Sequence, residues 1–172
     1  MIMHCKGYLI TDKLPSKDAI KEILQKYHID YNTRKPFEYD YYEIGGRFGG
    51  KIKIKFNPKE NEDDYFISRH RNNKYFISNM LNILNIKNYP DELELLVYMG
   101  LRENILYVDG GYYEDIIDFK LNDCYVVITE NKIILSEFWD GNHWINNEKQ
   151  FNKEISNLSL NNKFITVIDF HW

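Results

Sequence analysis

Apolar and polar residues recur with strand or helix periodicity in several separate parts of the chain. Residues Cys5 to Thr11 form a short apolar-rich segment that predicts a first strand, and Ser16 follows in a position typical of a helix cap. Ile52 to Phe56 alternates isoleucine with lysine, as a half-exposed strand does. The apolar residues after Ser16 lie three and four positions apart and predict a helix with one buried face: Ala19, Ile20, Ile23, Leu24 and Tyr27.

Two hairpins are predicted in the second half of the chain. Ile105 to Val108 and Gly111 to Tyr113 flank Asp109-Gly110, a dipeptide typical of two-residue hairpin turns. Tyr125 to Thr129 and Ile133 to Phe138 flank a short polar connection and predict a second antiparallel pair.

Further helices complete the predicted architecture. Tyr75 to Ile86 has apolar residues at helical spacing, and Pro90 could start a short helix. A last helix over Phe151 to Leu158 precedes the terminal strand Phe164 to Trp172. Helices after the first strand and before the last one, with hairpins between, predict an α+β fold: an antiparallel sheet with two to three helices on one face. The ferredoxin-like arrangement is the nearest named one.

Length and composition predict one domain spanning residues 1–172. An apolar share of 44% and an aromatic share of 16% favour a folded core over disorder. The net charge of −4 provides no positive field for nucleic acid, and no run of eighteen apolar residues predicts a membrane span. The two cysteines form no Cys-x-x-Cys pair and the amino terminus lacks a signal-peptide pattern, so we expect a reduced, cytoplasmic protein.

The segment from Tyr39 to Gly50 is the least ordinary part of the sequence, with three tyrosines, two acids, four glycines and an arginine. If its first part is extended, Asp40 and Tyr42 share one face, and the Gly45-Gly46 break places Arg47 in a bend between strands. Glycine amides beside a guanidinium suit a phosphate or carboxylate. The alternative is that Arg47 pairs with Asp40 and merely holds a tight turn.

The same segment resembles a motif of uncharacterised small proteins from bacteria, phages and other mobile elements, approximately Trp-Asp-Trp-Tyr-any-Ile-Gly-Gly-Arg-Trp. Those proteins also end in a Thr-Val-Val-Asp-Cys-His-like strand, and this chain carries Thr-Val-Ile-Asp-Phe-His at residues 166–171. Phe170 replaces the usual cysteine, so a thiol there cannot be required. The positions that carry the resemblance in the central segment are Tyr39, Asp40, Tyr41, Tyr42, Gly45, Gly46, Arg47 and Phe48.

The candidate chemistry combines acid–base groups with a surface for an organic cation. Alternation puts Asp169 and His171 on one strand face, where they could form a coupled pair. Tyrosines beside carboxylates attract cations, which favours a nucleotide-like zwitterion such as S-adenosylmethionine or a nucleotide conjugate of it. By analogy with small phage enzymes that destroy such molecules, the predicted activity, if the protein is an enzyme, is a lyase-type cleavage or a hydrolysis that needs no metal or other cofactor. The predicted catalytic residues are Asp40, Arg47, Asp169 and His171, and the predicted ligand-binding residues are Tyr42, Gly45, Gly46, Arg47 and Asp118.

A second hypothesis is a non-catalytic protein-interaction module, such as an inhibitor in phage or host defence, with exposed aromatic residues as its binding patch. It predicts no pocket around Arg47. Core packing is the expected role of Tyr39 or Tyr41. An exposed edge strand would also permit a homo-oligomer.

Overall fold

The computed structural model describes residues 4–27, 39–55 and 105–171. The predicted helices over Tyr75 to Ile86 and at Pro90 lie outside these residues. Among the described residues, no helix is long and apolar enough to span a membrane.

The described elements are eleven strands, two α-helices and two short 3-10 turns. The 3-10 turns are Gly46–Phe48 and Tyr113–Asp115. The helices are α1 (Lys17–Gln25) and α2 (Glu148–Ser156). The strands are β1 (His4–Thr11), β2 (Tyr41–Ile44), β3 (Ile52–Lys55), β4 (Ile105–Val108), β5 (Gly110–Tyr112), β6 (Ile116–Ile117), β7 (Val126–Thr129), β8 (Ile133–Leu135), β9 (Glu137–Trp139), β10 (Trp144–Asn146) and β11 (Phe164–His171).

The main sheet has the order β2-β11-β1-β7-β8, and β5 pairs with β11 beside β2. Its strands are antiparallel except for the parallel pair β1 and β7. The order β4-β3-β6 makes a three-stranded sheet, and β9 pairs with β10 in a hairpin. The terminal strand β11 therefore lies inside the main sheet, with β1 on one side and both β2 and β5 on the other.

The two described helices pack on opposite faces of the main sheet. On one face, Leu24 of α1 joins a cluster with Leu9 and Phe170, while on the other Phe151 of α2 packs with Ile10. The α+β prediction is confirmed, but the placement of helices on one face was wrong, and the ferredoxin-like arrangement is not confirmed. Helices cover both faces because β1 and β11 are buried along nearly their whole length, so that each face of the sheet requires an apolar cover.

Local predictions succeeded where neighbouring residues decide the structure. The Ser16 side chain accepts a hydrogen bond from the Ala19 amide at the start of α1, as a cap should. The hairpin of β7 and β8 is also confirmed. The prediction of a hairpin at Asp109-Gly110 was wrong, because β4 pairs with β3 while β5 pairs with β11. This dipeptide therefore connects a strand of the three-stranded sheet to a strand of the main sheet.

The buried Cys5 thiol, the half-buried Cys124 thiol and the buried Tyr8 phenol should make the fold sensitive to alkali. Burial raises the pKa of Cys124 to about 12, and burial together with the hydrogen bond to Asp123 raises the pKa of Tyr8. Burial likewise raises the pKa of Cys5, with the charge of Asp169 adding to it. Each of these groups ionises first in the unfolded chain, so the stability it contributes is fully present below its own ordinary pKa and is lost as pH rises above that value, earlier for the thiols than for the phenol.

We therefore expect the free energy of unfolding to fall steeply from about pH 9 to about pH 10.5, by about 1.4 kcal/mol per pH unit for each such thiol. Urea denaturation across this range measures the slope. Cys124→Ser removes one titrating group and keeps a donor for the Leu121 carbonyl, which accepts from the thiol. This variant should show a shallower slope, whereas equal slopes would contradict the assignment.

Candidate functional site

The glycine-rich turn over residues 45–50 closes on two buried carboxylates of the chain itself. The Arg47 amide donates to Asp169 Oδ2 at 2.8 Å, and the Gly50 amide donates to Asp109 Oδ1 at 2.7 Å. Asp109 is 0% exposed and Asp169 is 3% exposed. Backbone amides therefore stabilise two anions inside the protein, which burial would otherwise make costly.

Close approach explains why glycine occupies the first two positions of this turn. Gly45 and Gly46 have φ angles of +73° and +49°, which side chains disfavour. A Cβ on Gly45 would lie 1.9 Å from Asp109 Oδ2, and a Cβ on Gly46 would lie 2.4 Å from the Asp169 side chain. Glycine is therefore needed at both positions so that the backbone can approach the Asp109 and Asp169 carboxylates.

The turn is also joined to the main sheet at Val167, between the parts of β11 that pair with β5 and β2. The Gly45 amide donates to the Val167 carbonyl at 2.9 Å, and the Val167 amide donates to the Asp109 carbonyl at 2.7 Å. Three distant parts of the chain meet at this one residue. The turn, the Asp109 bend and β11 therefore form a single junction.

Next to this junction lies a group of four side chains that we call the histidine–aspartate cluster: His4, Asp40, Asp169 and His171. His4 Nδ1 lies 2.9 Å from Asp169 Oδ1, a hydrogen bond between two poorly exposed groups. His171 Nδ1 lies 3.4 Å from Asp40 Oδ2. The two imidazole rings meet edge to face, with centroids 4.9 Å apart. Each imidazole thus faces one carboxylate and the other ring.

Strand pairing assembles the cluster from three segments. His4 of β1 is directly opposite His171 of β11, and Tyr41 of β2 is opposite His171 on the other side. The Asp40 amide donates to the His171 carbonyl at 2.6 Å, which places Asp40 beside the imidazole. The cluster therefore depends on the register of β1, β11 and β2.

One side of the cluster is open. The Tyr41 ring stacks on the His171 ring with centroids 4.3 Å apart and planes 25° apart, and Tyr41 is 46% exposed. Asp40 is exposed, whereas His171 Nδ1 is buried and makes no hydrogen bond to any described residue. A molecule arriving at Asp40 and Tyr41 would meet an imidazole nitrogen whose hydrogen-bonding capacity is unused there.

The structure brings together three of the four predicted catalytic residues, Asp40, Asp169 and His171, and adds the backbone of Arg47. The Arg47 side chain is exposed. The Gly45 amide was predicted to bind a ligand anion, but its acceptor is the Val167 carbonyl, and Gly46 stands with its α-carbon against the Asp169 side chain. Their contribution is therefore to the turn.

Two predicted ligand-binding residues, Tyr42 and Asp118, are not part of the histidine–aspartate cluster. Tyr42 was expected to stack on a ligand, but it is half-buried and packs against the apolar cluster, with its ring edge-on to Tyr39. Burial raises the pKa of both phenols. Asp118 is exposed and left-handed directly after β6, which is an edge strand of the three-stranded sheet. The exposed aromatic residue of β2 is Tyr41, while Tyr39 is the core tyrosine.

Sequence reasoning missed two residues of this region, His4 and Asp109. His4 has no neighbour in sequence that marks it, and only the pairing of β1 with β11 brings it to Asp169. Asp109 looked like an ordinary turn residue beside glycine. Its complete burial is invisible in the local pattern.

The described residues contain no group of three or more His, Cys, Asp and Glu side chains placed to hold a metal ion. Comparisons of the chain with protein-family models, with curated proteins and with solved structures find no match.

Proposed function

We propose that the histidine–aspartate cluster binds a nucleotide-like zwitterionic small molecule, of which S-adenosylmethionine or a nucleotide conjugate of it is the representative, and supports its lyase-type cleavage. The observation that carries this proposal is the His171 imidazole: its buried Nδ1 lies 3.4 Å from the exposed Asp40 carboxylate, under the exposed ring of Tyr41. The proposed setting is the bacterial cytoplasm, in a phage- or mobile-element-associated role.

Each exposed group at this place matches one part of such a ligand. The free face of Tyr41 can stack on an adenine, and the Asp40 carboxylate can attract a sulfonium or ammonium. Arg47 lies in the adjoining turn, and its guanidinium suits a carboxylate or phosphate. This assignment transfers the stacking role from Tyr42 to Tyr41.

The buried groups supply orientation and proton capacity. Asp169 accepts from the Arg47 amide and pairs with His4, so its carboxylate is fixed in place. His171 can accept a proton at Nδ1, and Asp40 at 3.4 Å would stabilise the resulting imidazolium. A cleavage that depends on orientation and electrostatics needs these features.

The family resemblance supports the same location. Its two segments are far apart in sequence, yet β2 and β11 are hydrogen-bonded neighbours, with Tyr42 paired to Phe170 and Tyr41 to His171. Residues that carry the resemblance at both ends therefore lie side by side in one structure.

Calorimetric titration with S-adenosylmethionine, other adenosyl compounds and nucleotides tests the proposal. We expect saturable binding by the wild type and a loss of about tenfold or more in affinity for His171→Ala, because a hydrogen bond and the stacked support of Tyr41 are both removed. The matched control is His143→Ala, which removes an exposed histidine of the β9–β10 hairpin. Mass spectrometry of the incubated ligand reports cleavage. Absence of binding by the folded wild type would refute the proposal.

Trp144 favours the second candidate function, a protein-interaction module in phage or host defence. It is 52% exposed at the start of β10, on a two-stranded hairpin separate from the main sheet. Large exposed aromatic residues are frequent anchors of protein interfaces. Capture of a stoichiometric partner that is lost with Trp144→Ala and kept with Asp169→Asn would favour this function.

A further inference from the structure

His4 and Asp169 have the geometry of a histidine base that is oriented by a buried carboxylate. His4 Nδ1 lies 2.9 Å from Asp169 Oδ1, and Asp169 is 3% exposed. The other oxygen of this carboxylate, Oδ2, accepts from the Arg47 amide. Oδ1 also needs a donor, because a buried carboxylate oxygen without one is costly. The N–H at His4 Nδ1 is that donor, so the neutral imidazole carries its lone pair at Nε2.

The Nε2 atom of His4 is accessible from outside the protein. The His4 side chain is 12% exposed. Nε2 makes no hydrogen bond to any described residue, yet it is not one of the buried polar atoms without a partner, in contrast to His171 Nδ1. A bound molecule can therefore reach the nitrogen of His4 that carries the lone pair.

His4 also belongs to the surface that the proposed ligand would contact. The rings of Tyr41, His171 and His4 form a row across β2, β11 and β1, with successive centroids 4.3 and 4.9 Å apart. All three residues lie on one face of the main sheet, because directly paired residues of neighbouring strands share a face. An adenosyl compound that stacks on Tyr41 and extends along this row reaches His4.

We propose that His4 is a catalytic residue of this site, a general base that acts through Nε2, with Asp169 as its positioning residue. The inference rests on the proposed function, since it names the group that takes a proton during the proposed cleavage. Nε2 removes a proton from the ligand carbon next to the carbon whose bond breaks, and the electron pair of that C–H bond forms a double bond in the product. The leaving group departs with the electron pair of the broken bond, as a neutral thioether if the ligand is a sulfonium. Asp169 stabilises the imidazolium that results.

Modification with diethyl pyrocarbonate tests the accessible lone pair without any ligand. This reagent transfers an ethoxycarbonyl group to an accessible imidazole nitrogen that carries a lone pair, and peptide mass spectrometry identifies the modified histidine. We expect His4 to react, with the 67% exposed His143 as internal reference. In Asp169→Asn the Arg47 amide occupies the amide oxygen, so the NH₂ group faces His4 Nδ1 and places the ring proton on Nε2. The rate at His4 should then fall at least about tenfold, while the rate at His143 stays the same.

His4→Asn separates the base from the rest of the site. The asparagine NH₂ group replaces the N–H of Nδ1 as a donor to Asp169, whereas no atom replaces Nε2. We expect this variant to bind S-adenosylmethionine within about threefold of the wild-type affinity and to cleave it at least about a hundredfold more slowly. Calorimetry measures the affinity, and mass spectrometry of the incubated ligand measures the cleavage.

The possible failures of the base role and of the proposed function differ. An unmodified His4, or equal modification rates in the wild type and Asp169→Asn, would overturn the assignment of the lone pair and with it the base role. Cleavage by His4→Asn at the wild-type rate, or binding without cleavage by the wild type, would overturn the base role and leave ligand binding intact. Absence of binding by the folded wild type would refute the proposed function and the base role together.

Discussion

Gly45→Ala should lower the free energy of unfolding by about 3 kcal/mol, combining strain at a left-handed φ with steric overlap in a packed region. The added methyl would lie 1.9 Å from Asp109 Oδ2, and the carboxylate cannot retreat without losing the Gly50 amide. The Gly45 amide also bonds to Val167, so any shift of the turn disturbs the central strand β11. Urea denaturation of the variant measures the loss.

Gly141→Ala is the matched control for this prediction. Gly141 also has a positive φ, +105°, but a Cβ there would meet nothing within 4 Å. This control isolates backbone strain, which should lower the free energy of unfolding by about 1 kcal/mol. Equal losses for the two variants would mean that contact with the Asp109 carboxylate is unimportant.

Asp169→Ala should cost a comparable amount, about 3 kcal/mol, because the Arg47 amide and His4 Nδ1 lose their partner in a buried place. Asp169→Asn preserves the shape and one acceptor oxygen, so its cost should be clearly smaller. Chemical denaturation of both variants gives the comparison. A larger loss of stability for Asp169→Ala than for Asp169→Asn would indicate lost hydrogen bonds. Equal losses would indicate that the position does not tolerate substitution in general.

The control for Asp169 is Asp12→Ala, which removes an exposed carboxylate that pairs with Lys163. Surface ion pairs contribute little, so we expect a change within about 0.5 kcal/mol. If Asp169→Ala were as mild as Asp12→Ala, the buried carboxylate would not hold the turn, and the account of the glycine motif would be wrong.

Elements that depend on local sequence could be predicted from it. The apolar spacing after Ser16 specifies α1, and the alternation in β11 places Asp169 and His171 on one face with Phe170 on the other. The structure agrees, since Phe170 packs with α1 while Asp169 contacts His4. These features follow from residues within a few positions of one another.

Features set by distant pairing could not be predicted in this way. The Asp109-Gly110 dipeptide has the composition of a hairpin turn, but β4 and β5 pair with different strands. The dipeptide is therefore a buried connection between two sheets. The glycine motif suggested a cradle for a ligand anion, whereas Asp109 and Asp169 supply the anions from within the chain. His4 joins Asp169 only through the register of two strands at opposite ends of the sequence.

The most direct test of the central claim is an NMR titration that follows the imidazole nitrogens of ¹⁵N-labelled protein as S-adenosylmethionine is added. If the histidine–aspartate cluster binds the ligand, the His171 signals should shift with saturation, the His4 signals should follow through the neighbouring ring, and exposed His143 should stay unchanged. Titration of the folded protein without a shift at His171 would contradict the claim.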